Sequence, residues 1–128
     1  MDKISLHLSG VIPSKKNSRL CASRGGRIVN IPSASYTDWH KRNLSSIVYQ
    51  LQYIPRAVRV PCAVSLVVRY PDRRRRDLDN ALSSVLDLLV DAGILPDDSW
   101  TAVERMEVRG ELARRGEAPS ADVELTAL

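Results

Sequence analysis

Residues 58–93 read VRVPCAVSLVVRYPDRRRRDLDNALSSVLDLLVDAG, and this stretch decides the fold class. From Val58 to Val68 every second residue is apolar, which is the period of a strand with one buried face. Between Asp79 and Ala92 the apolar residues instead recur at helical spacing and predict an amphipathic helix. Gly93 follows at the position where a left-handed residue usually closes a helix. The stretch therefore predicts a strand, an arginine-rich connection and a helix.

The N-terminal part of the chain carries signals for a strand, a hairpin and a further helix. Ile4, Leu6 and Leu8 alternate with polar residues and predict a first strand. Residues 24–27, Arg-Gly-Gly-Arg, predict the tip of a hairpin between two short strands. Ser33 is the expected N-cap of a helix that runs to about residue 53. The predicted buried stripe of this helix is Tyr36, His40, Leu44, Ile47, Val48 and Leu51.

Two more strands are predicted near the C-terminus, over 101–109 and 122–128, and the polar connection between them favours a hairpin. The order strand, hairpin, helix, strand, helix, strand, strand predicts an α/β protein of the α+β type. We expect a single small domain over residues 1–128, with a mixed β-sheet and two main helices laid on one face. The uncovered face is then free for a partner such as a second subunit.

Composition and charge exclude several classes of protein. The 128 residues carry 19 Lys and Arg against 15 Asp and Glu, and the net charge of +4 tolerates polyanions as partners. No apolar stretch approaches the roughly 18 residues of a membrane span. Met1 leads straight into a strand pattern, so we expect no signal peptide. Cys21 and Cys62 form no disulfide or zinc pattern, which favours reduced thiols and a cytoplasmic location.

The first candidate site is a pair of carboxylates, Asp77 and Asp79, where the chain leaves a strand region and enters a helix. In an extended backbone residues i and i+2 point to the same side, so both side chains can converge on one point. A hard divalent cation relieves their repulsion, and Mg²⁺ takes one or two carboxylates together with water and substrate phosphates. The alternative is that Asp79 caps the helix while Asp77 pairs with an arginine.

A second acid pair, Asp97-Asp98, follows the helix and strengthens the metal interpretation. The helix is about 20 Å long at 1.5 Å per residue, so the loop and the next strand must carry Asp98 back to reach the first pair. The alternative is a pair of aspartates that only form a turn.

Basic residues accompany the acids. Four arginines at 73–76 lie directly before Asp77, where they either hold phosphates or merely neutralise acids. A second basic segment lies on the predicted N-terminal loop and hairpin and suits a nucleic-acid backbone. The side chains predicted to contact nucleic acid are Lys15, Lys16, Asn17, Arg19, Arg24, Arg27, Arg69, Arg73, Arg74, Arg75 and Arg76.

These residues closely resemble the RusA family of Holliday-junction resolvases. Residues 71–80, PDRRRRDLDN, match the arginine-rich D-x-D-N signature of the family, and Asp87, Gly93 and Asp97-Asp98 fall where its continuation would place them. Residues 13–18, PSKKNS, look like its P-S-x-x-N entry segment. The resemblance covers most of the chain and is strongest from Tyr70 to Asp98.

The resemblance implies a homodimeric, Mg²⁺-dependent endonuclease, with Mn²⁺ as an alternative cation and no small-molecule cofactor. Such an enzyme binds four-way DNA junctions and nicks their strands symmetrically, and a two-fold dimer suits a substrate of approximate two-fold symmetry. By position, Asp77, Asp79 and Asp98 are expected to be the metal carboxylates. We expect water to attack the phosphorus in line and to leave a 5′-phosphate and a 3′-hydroxyl.

One position departs from the family pattern. The catalytic lysine expected one helical turn after Asp79 is Ser83 here. A serine carries no positive charge to stabilise a pentacovalent phosphate. We expect a neighbouring cation to replace the lysine, either Lys15 or Lys16, which are therefore catalytic candidates, or an arginine of 73–76.

Three other interpretations stay open from sequence alone. They are a non-catalytic branched-DNA-binding protein that lost activity with the lysine, a metal nuclease acting on other branched DNA, and a structural dimerisation domain. Trp39 and Trp100 are interpreted as core or interface residues, with stacking on unpaired bases as the alternative. His7 and His40 have no metal-spaced partner and are interpreted as structural. We expect a bacterial cell or a phage to encode the chain.

Overall fold

The computed structural model describes residues 2–13, 19–24, 27–52 and 57–128, with side chains described outside 19–32. Six strands and two helices follow one another along this part of the chain, in the order predicted. In chain order they are β1 Lys3–Ser9, β2 Arg19–Arg24, β3 Arg27–Pro32, α1 Ala34–Gln50, β4 Cys62–Tyr70, α2 Leu78–Asp91, β5 Val103–Leu112 and β6 Ser120–Ala127.

Four strands form one mixed sheet in the order β1-β6-β4-β5, and β2 and β3 form a separate antiparallel hairpin. Strand β6 runs antiparallel to both of its neighbours, whereas β4 and β5 are parallel. Parallel neighbours need a crossover connection, and α2 supplies it. The predicted mixed sheet with two helices is confirmed. The predicted hairpin tip at residues 25 and 26 lies outside the described residues.

The predicted hairpin between the last two strands is wrong, because β5 and β6 lie on opposite sides of β4. Strand β6 buries Ala121, Val123 and Leu125 and takes an interior place in the sheet. Strand β5 is exposed along almost its whole length and takes the edge. Pairing is thus decided by which strand can be buried between two neighbours, and nearness in sequence does not override it.

The hydrophobic core lies on one face of the sheet. Leu6, Val123, Leu66 and Val108 stand opposite one another in register across all four strands. The helices pack against this face and place Trp39, Ile47, Val85, Leu88 and Leu89 in the same buried cluster. The helices therefore cover one side of the sheet, as predicted. None of the helices that the structure describes has the length and apolar character needed to span a bilayer.

Helix α1 begins as predicted but buries a different stripe. The Ser33 hydroxyl accepts a hydrogen bond from the Tyr36 amide at 3.3 Å, and the helix ends at Gln50, earlier than predicted. The predicted burial of Val48 is wrong, since 39% of it is exposed, and the buried set contains Trp39 and Asn43 instead. The reason is that α1 packs along the free edge of β1, where polar side chains find partners.

Two amide side chains of α1 pair with the backbone at this edge. Asn43 Oδ1 accepts from the Ser9 amide at 2.9 Å, and Asn43 Nδ2 donates to the Ser9 carbonyl at 3.1 Å. Gln50 binds His7 in the same way, at 2.9 Å and 2.7 Å. These amides satisfy the backbone groups that a neighbouring strand would otherwise take up.

Candidate metal and DNA-binding site

The loop between β4 and α2 is held closed by its own side chains. Asp72 Oδ1 accepts a hydrogen bond from the Arg74 amide at 3.0 Å and from Arg76 Nη1 at 2.7 Å. Arg76 Nη1 also donates to the Asp72 carbonyl at 3.2 Å, and the guanidinium lies 4.9 Å from the centre of the Tyr70 ring. Both hydrogen bonds to Oδ1 lower the pKa of Asp72, and the bond from Arg76 has the larger effect. The loop therefore has a defined conformation before α2 begins.

The four arginines of this loop are not equivalent. The Arg76 side chain is only 22% exposed because it is folded back on Asp72. Arg74 is 84% exposed and reaches Asp72 only at 3.8 Å. Arg73 and Arg75 are exposed, and neither forms an ion pair or hydrogen bond with the part of the chain that the structure describes. Three of the four are thus available to phosphates, while the fourth shapes the loop.

Asp77 and Asp79 lie at the N-terminus of α2. Asp77 is the N-cap residue with extended backbone, yet its side chain makes no capping hydrogen bond, and Asp79 lies in the first helical turn. Both are exposed, and neither carboxylate has a side-chain partner within the described ranges. The alternative in which Asp79 caps the helix and Asp77 pairs with an arginine therefore does not hold, and both carboxylates lack a side-chain partner among the described residues. The positive end of the helix dipole favours negative charge at this position.

A close contact with β5 fixes where this helix begins. Leu78, between the two acids, packs so near Gly110 that a Cβ there would lie 3.2 Å from Leu78 Cδ2 and 3.5 Å from Tyr70 Cε2. The absence of a side chain at Gly110 lets the first turn of α2 settle on the sheet. With Leu78 turned inward, Asp77 and Asp79 stay at the surface.

The second acid pair is divided between two roles. Asp97 Oδ1 accepts from the Ser99 amide at 2.9 Å and from Ser99 Oγ at 2.5 Å. Both hydrogen bonds from Ser99 lower the pKa of Asp97, and the side-chain bond has the larger effect. Asp98 is exposed and has no such partner among the described residues. Asp97 holds the turn through these bonds, and the Asp98 carboxylate is left without a partner among the described residues.

Asp98 lies at the opposite end of α2 from the first acid pair. It lines a cleft of about 500 Å³ together with Asp87 and Asp91 of α2 and with Lys41 of α1. His40 also lines this cleft, and its Nε2 lies 2.8 Å from Asp91 Oδ2, with 18% of the His40 side chain exposed. The fourteen residues of α2 make the helix about 20 Å long, so one chain does not bring Asp98 to Asp77 and Asp79. No group of three His, Cys, Asp or Glu side chains able to hold a metal forms within the described residues.

Ser83, at the position of the family lysine, is exposed on α2 one turn after Asp79. Its neighbour Ser84 is buried and donates from Oγ to the Pro13 carbonyl at 2.9 Å. This bond ties the start of the basic N-terminal segment to the middle of α2. Lys15, Lys16 and Asn17 themselves lie outside the described residues.

The remaining residues predicted to contact DNA lie in two places. Arg19, Arg24 and Arg27 are in the β2–β3 hairpin, and their side chains are outside the described part. Arg69 lies on the sheet face opposite the helices, where Nη1 is 2.5 Å from Asp122 and Nε is 3.0 Å from Glu111. Its charge is therefore balanced within the fold.

Sequence reasoning missed the contacts that position the acids. The ion pair between Arg76 and Asp72 has one signal in the sequence, the i, i+4 spacing of the two residues. This signal is hard to recognise among four consecutive arginines. Gly110 has no signal in a single sequence, since its function depends on which helix packs over it. The hydrogen bond between Ser84 and Pro13 joins residues 71 positions apart and has no local signal either.

Comparison with known proteins identifies the family of the chain. A model of the endodeoxyribonuclease RusA family matches residues 11–126. A crossover junction endodeoxyribonuclease RusA from Aquifex aeolicus is 30% identical over 99 residues, which cover 77% of this chain and 75% of the relative. Another, from Enterobacteria phage HK97, is 34% identical over 59 residues, or 46% of this chain and 48% of the relative. The chain therefore belongs to the RusA family of endodeoxyribonucleases.

Proposed function

We propose that the chain is a divalent-metal-dependent endonuclease that resolves four-way DNA junctions as a homodimer. Its family, and relatives named for cutting crossover junctions, support this function. One observation carries the proposal. Asp77 and Asp79 are exposed, have no side-chain partner among the described residues, and directly follow a loop that presents three exposed arginines. Free carboxylates beside free guanidinium groups suit phosphoryl chemistry better than they suit simple charge balance.

The donor set of Asp77 and Asp79 fits Mg²⁺, and also Mn²⁺, because both cations prefer hard oxygen ligands. A cation held there would stabilise charge developing on the phosphate and activate water. The chain itself supplies the other parts. Arg73, Arg74 and Arg75 bind backbone phosphates and offset the repulsion between phosphate and carboxylate. Arg76 keeps the loop closed so that Asp77 starts the helix at a fixed position.

A homodimer accounts for the distance between the two acid sites. In a two-fold dimer a surface at one end of α2 can face the surface at the other end of the same helix in the second copy. We place Asp77 and Asp79 of one protomer with the partner's Asp98. The exposed arginines beside the first pair then meet a cleft that contains Asp87, Asp91, Asp97 and Asp98, so the two surfaces have complementary charge.

Subunit mixing tests the shared site. A heterodimer made by co-expressing Asp79→Asn and Asp98→Asn chains keeps one intact shared site and should nick one strand of a labelled four-way junction. A heterodimer of a native chain with an Asp79→Asn/Asp98→Asn chain keeps none and should be inactive. If each site belonged to a single chain, the two results would be reversed.

The charge that the family lysine supplies is assigned to Lys15 or Lys16. Pro13, two residues before Lys15, is hydrogen-bonded to Ser84, directly beside Ser83. The N-terminal basic segment therefore starts next to the position that lost its lysine. Single Lys15→Ala and Lys16→Ala variants should show which one contributes, by a loss of nicking larger than the loss of junction binding.

Nicking of a labelled junction, compared with a linear duplex of the same sequence, tests the function as a whole. Paired nicks on the junction with Mg²⁺ or Mn²⁺, none with EDTA, and none in Asp79→Asn are the expected results. Tight junction binding without cleavage in any metal would instead establish a branched-DNA-binding protein. Equal cleavage of flaps or replication forks would broaden the substrate to other branched DNA.

A further inference from the structure

Trp100 is exposed in a way that the fold does not explain. It lies in the turn between α2 and β5, and 78% of it is accessible, whereas only 1% of Trp39 is. Its ring makes no aromatic or cation–π contact and no hydrogen bond with any residue in the described ranges. A large apolar ring left in water is a common mark of a binding surface.

The turn that carries Trp100 is firmly held. Asp97 accepts two hydrogen bonds from Ser99, and Ser99 Oγ lies 3.0 Å from Thr101 Oγ1. The Ser99 carbonyl accepts from the amides of Ala102 and Val103 at 3.0 Å and 2.9 Å, and both of these residues are buried. The backbone on either side of Trp100 is thus fixed, so little conformational entropy is lost when the ring binds a flat partner.

Trp100 and Asp98 belong to the same turn. Two residues apart, their Cα atoms are at most about 7 Å from each other. A separation of about 7 Å corresponds to about two nucleotides along one strand, where the rise is about 3.4 Å per nucleotide. The exposed ring therefore lies within reach of the bases that flank a phosphate at Asp98.

We infer that Trp100 stacks on an unpaired nucleobase beside the phosphate served by Asp98 and thereby favours branched over fully paired DNA. The inference rests on the proposed function. A base inside a continuous duplex has both faces covered by its neighbours, whereas a base at a branch point can offer one face to an aromatic ring. Stacking of this kind tolerates any base, so it selects DNA structure without selecting sequence.

Fluorescence can follow this ring directly because the other tryptophan is buried. Acrylamide should quench Trp100 strongly in the free protein and weakly in a complex with a synthetic four-way junction, measured with Ca²⁺ or EDTA to prevent cleavage. A linear duplex of the same sequence should leave the quenching unchanged. Trp39 should stay protected in all three samples.

Variants then separate stacking from other roles. Trp100→Ala should weaken junction binding about 5- to 100-fold and leave duplex binding unchanged, while Trp100→Phe should retain most of the affinity. Tyr49→Ala removes another aromatic residue, 74% exposed on α1, and serves as a control that should bind as the native chain does.

Three outcomes would overturn the inference. Native affinity and native nicking in Trp100→Ala would leave the ring without a function in DNA binding. Concentration-dependent protection of Trp100 without DNA would assign the ring to an interface between protein chains. Failure of the native chain to bind or nick any junction would reject the proposed function itself, and it is distinguished by being independent of residue 100.

Discussion

The guanidinium of Arg76 closes the β4–α2 loop onto Asp72, with Nη1 2.7 Å from Oδ1 and 3.2 Å from the backbone carbonyl. The group also lies over the Tyr70 ring, at 4.9 Å from its centre. Asp77 is the next residue in the chain and the N-cap of α2. A single side chain thus joins the end of β4, the arginine loop and the start of the helix that carries the candidate ligands.

Replacing Arg76 with lysine should lower nicking much more than binding. Lysine keeps the charge but has no planar fork to hold the Asp72 carboxylate and carbonyl together. We expect a loss of about tenfold or more in the nicking rate, because small displacements of catalytic groups are costly. The free energy of unfolding should change little, as for other exposed ion pairs.

Arg73→Lys is the matched control, since Arg73 is exposed and keeps its phosphate-binding charge as lysine. It should change nicking and junction affinity by less than about twofold. Single-turnover nicking and equilibrium binding measured on both variants check the prediction. Equal effects of the two substitutions would show that Arg76 acts only as one more phosphate contact.

The ion pair between Arg76 and Asp72 should break only at acid pH. Arg76 lowers the pKa of Asp72 in the folded protein, so the ion pair contributes stability that is present above the unfolded pKa of about 3.9. That contribution is lost as the pH falls through the lower, folded pKa. Between about pH 5 and 8 the loop should therefore stay closed, and the effect of Arg76→Lys on nicking should not vary with pH.

A carboxyl ¹³C NMR titration of Asp72 checks this sign. The midpoint should rise in Arg76→Gln, because the largest cause of the lowered pKa is removed. Asp97 is the internal reference, since its pKa is lowered by Ser99 and should not respond to the substitution. An unchanged titration midpoint of Asp72 would mean that the ion pair with Arg76 does not form in solution.

The two amides at the edge of β1 should differ in their contribution to stability. Asn43 is fully buried and makes three hydrogen bonds, to both backbone groups of Ser9 and to the Trp39 carbonyl. Asn43→Ala leaves these groups unpaired and should cost about 2–4 kcal/mol. Gln50→Ala, at an exposed pair of bonds, should cost about 1 kcal/mol or less.

Urea unfolding followed by Trp39 fluorescence measures both costs, because Trp39 is buried in the folded protein. The difference between the two variants is the informative quantity, since each removes a pair of hydrogen bonds to the same strand. Equal costs would indicate that water replaces the Asn43 amide as readily as it replaces the Gln50 amide.

Restoring the lysine at position 83 should show how its absence is compensated. Ser83 is exposed one turn after Asp79, so Ser83→Lys should fold normally and place an ammonium beside the scissile phosphate. If Lys15 or Lys16 already supplies this charge, the gain in nicking should be small in the native chain and large in a Lys15→Ala/Lys16→Ala background. Equal gains in both backgrounds would exclude the two N-terminal lysines as the replacement.

The sequence predicted the elements well and their pairing less well. Alternation in β4 and helical spacing in α2 are local properties, and both elements form within a few residues of their predicted bounds. Partner choice depends on the whole sheet, and for that reason the hairpin predicted between β5 and β6 does not form. The predicted burial of Val48 is wrong for a similar reason. Polar side chains of α1 hydrogen-bond to the edge of β1, so a different face of the helix is turned inward.

Residue types and spacing predict which side chains belong to the candidate site, but they do not predict how these side chains are arranged in space. The spacing of Asp77 and Asp79 predicts a carboxylate pair on the basis of an extended backbone, whereas in the structure Asp79 already lies in α2. The 20 Å length of α2 was anticipated, yet only the structure places Asp98 in a cleft at its far end. The different functions of Arg76 and Arg73 depend on how the loop folds, which four identical letters cannot reveal.

The two edges of the sheet, β1 and β5, are protected from pairing with further strands in different ways. At β1 the protection comes from two amide side chains of α1. Strand addition at the C-terminal end of β1 meets backbone groups of His7 and Ser9 that Gln50 and Asn43 already occupy, which opposes extension of the sheet there. Strand β5 bears Glu104, Arg105, Glu107 and Arg109, and charged side chains on an edge strand oppose its pairing with a further strand. The two edges of the sheet are thus protected by different means, hydrogen bonds from α1 at β1 and charged side chains at β5.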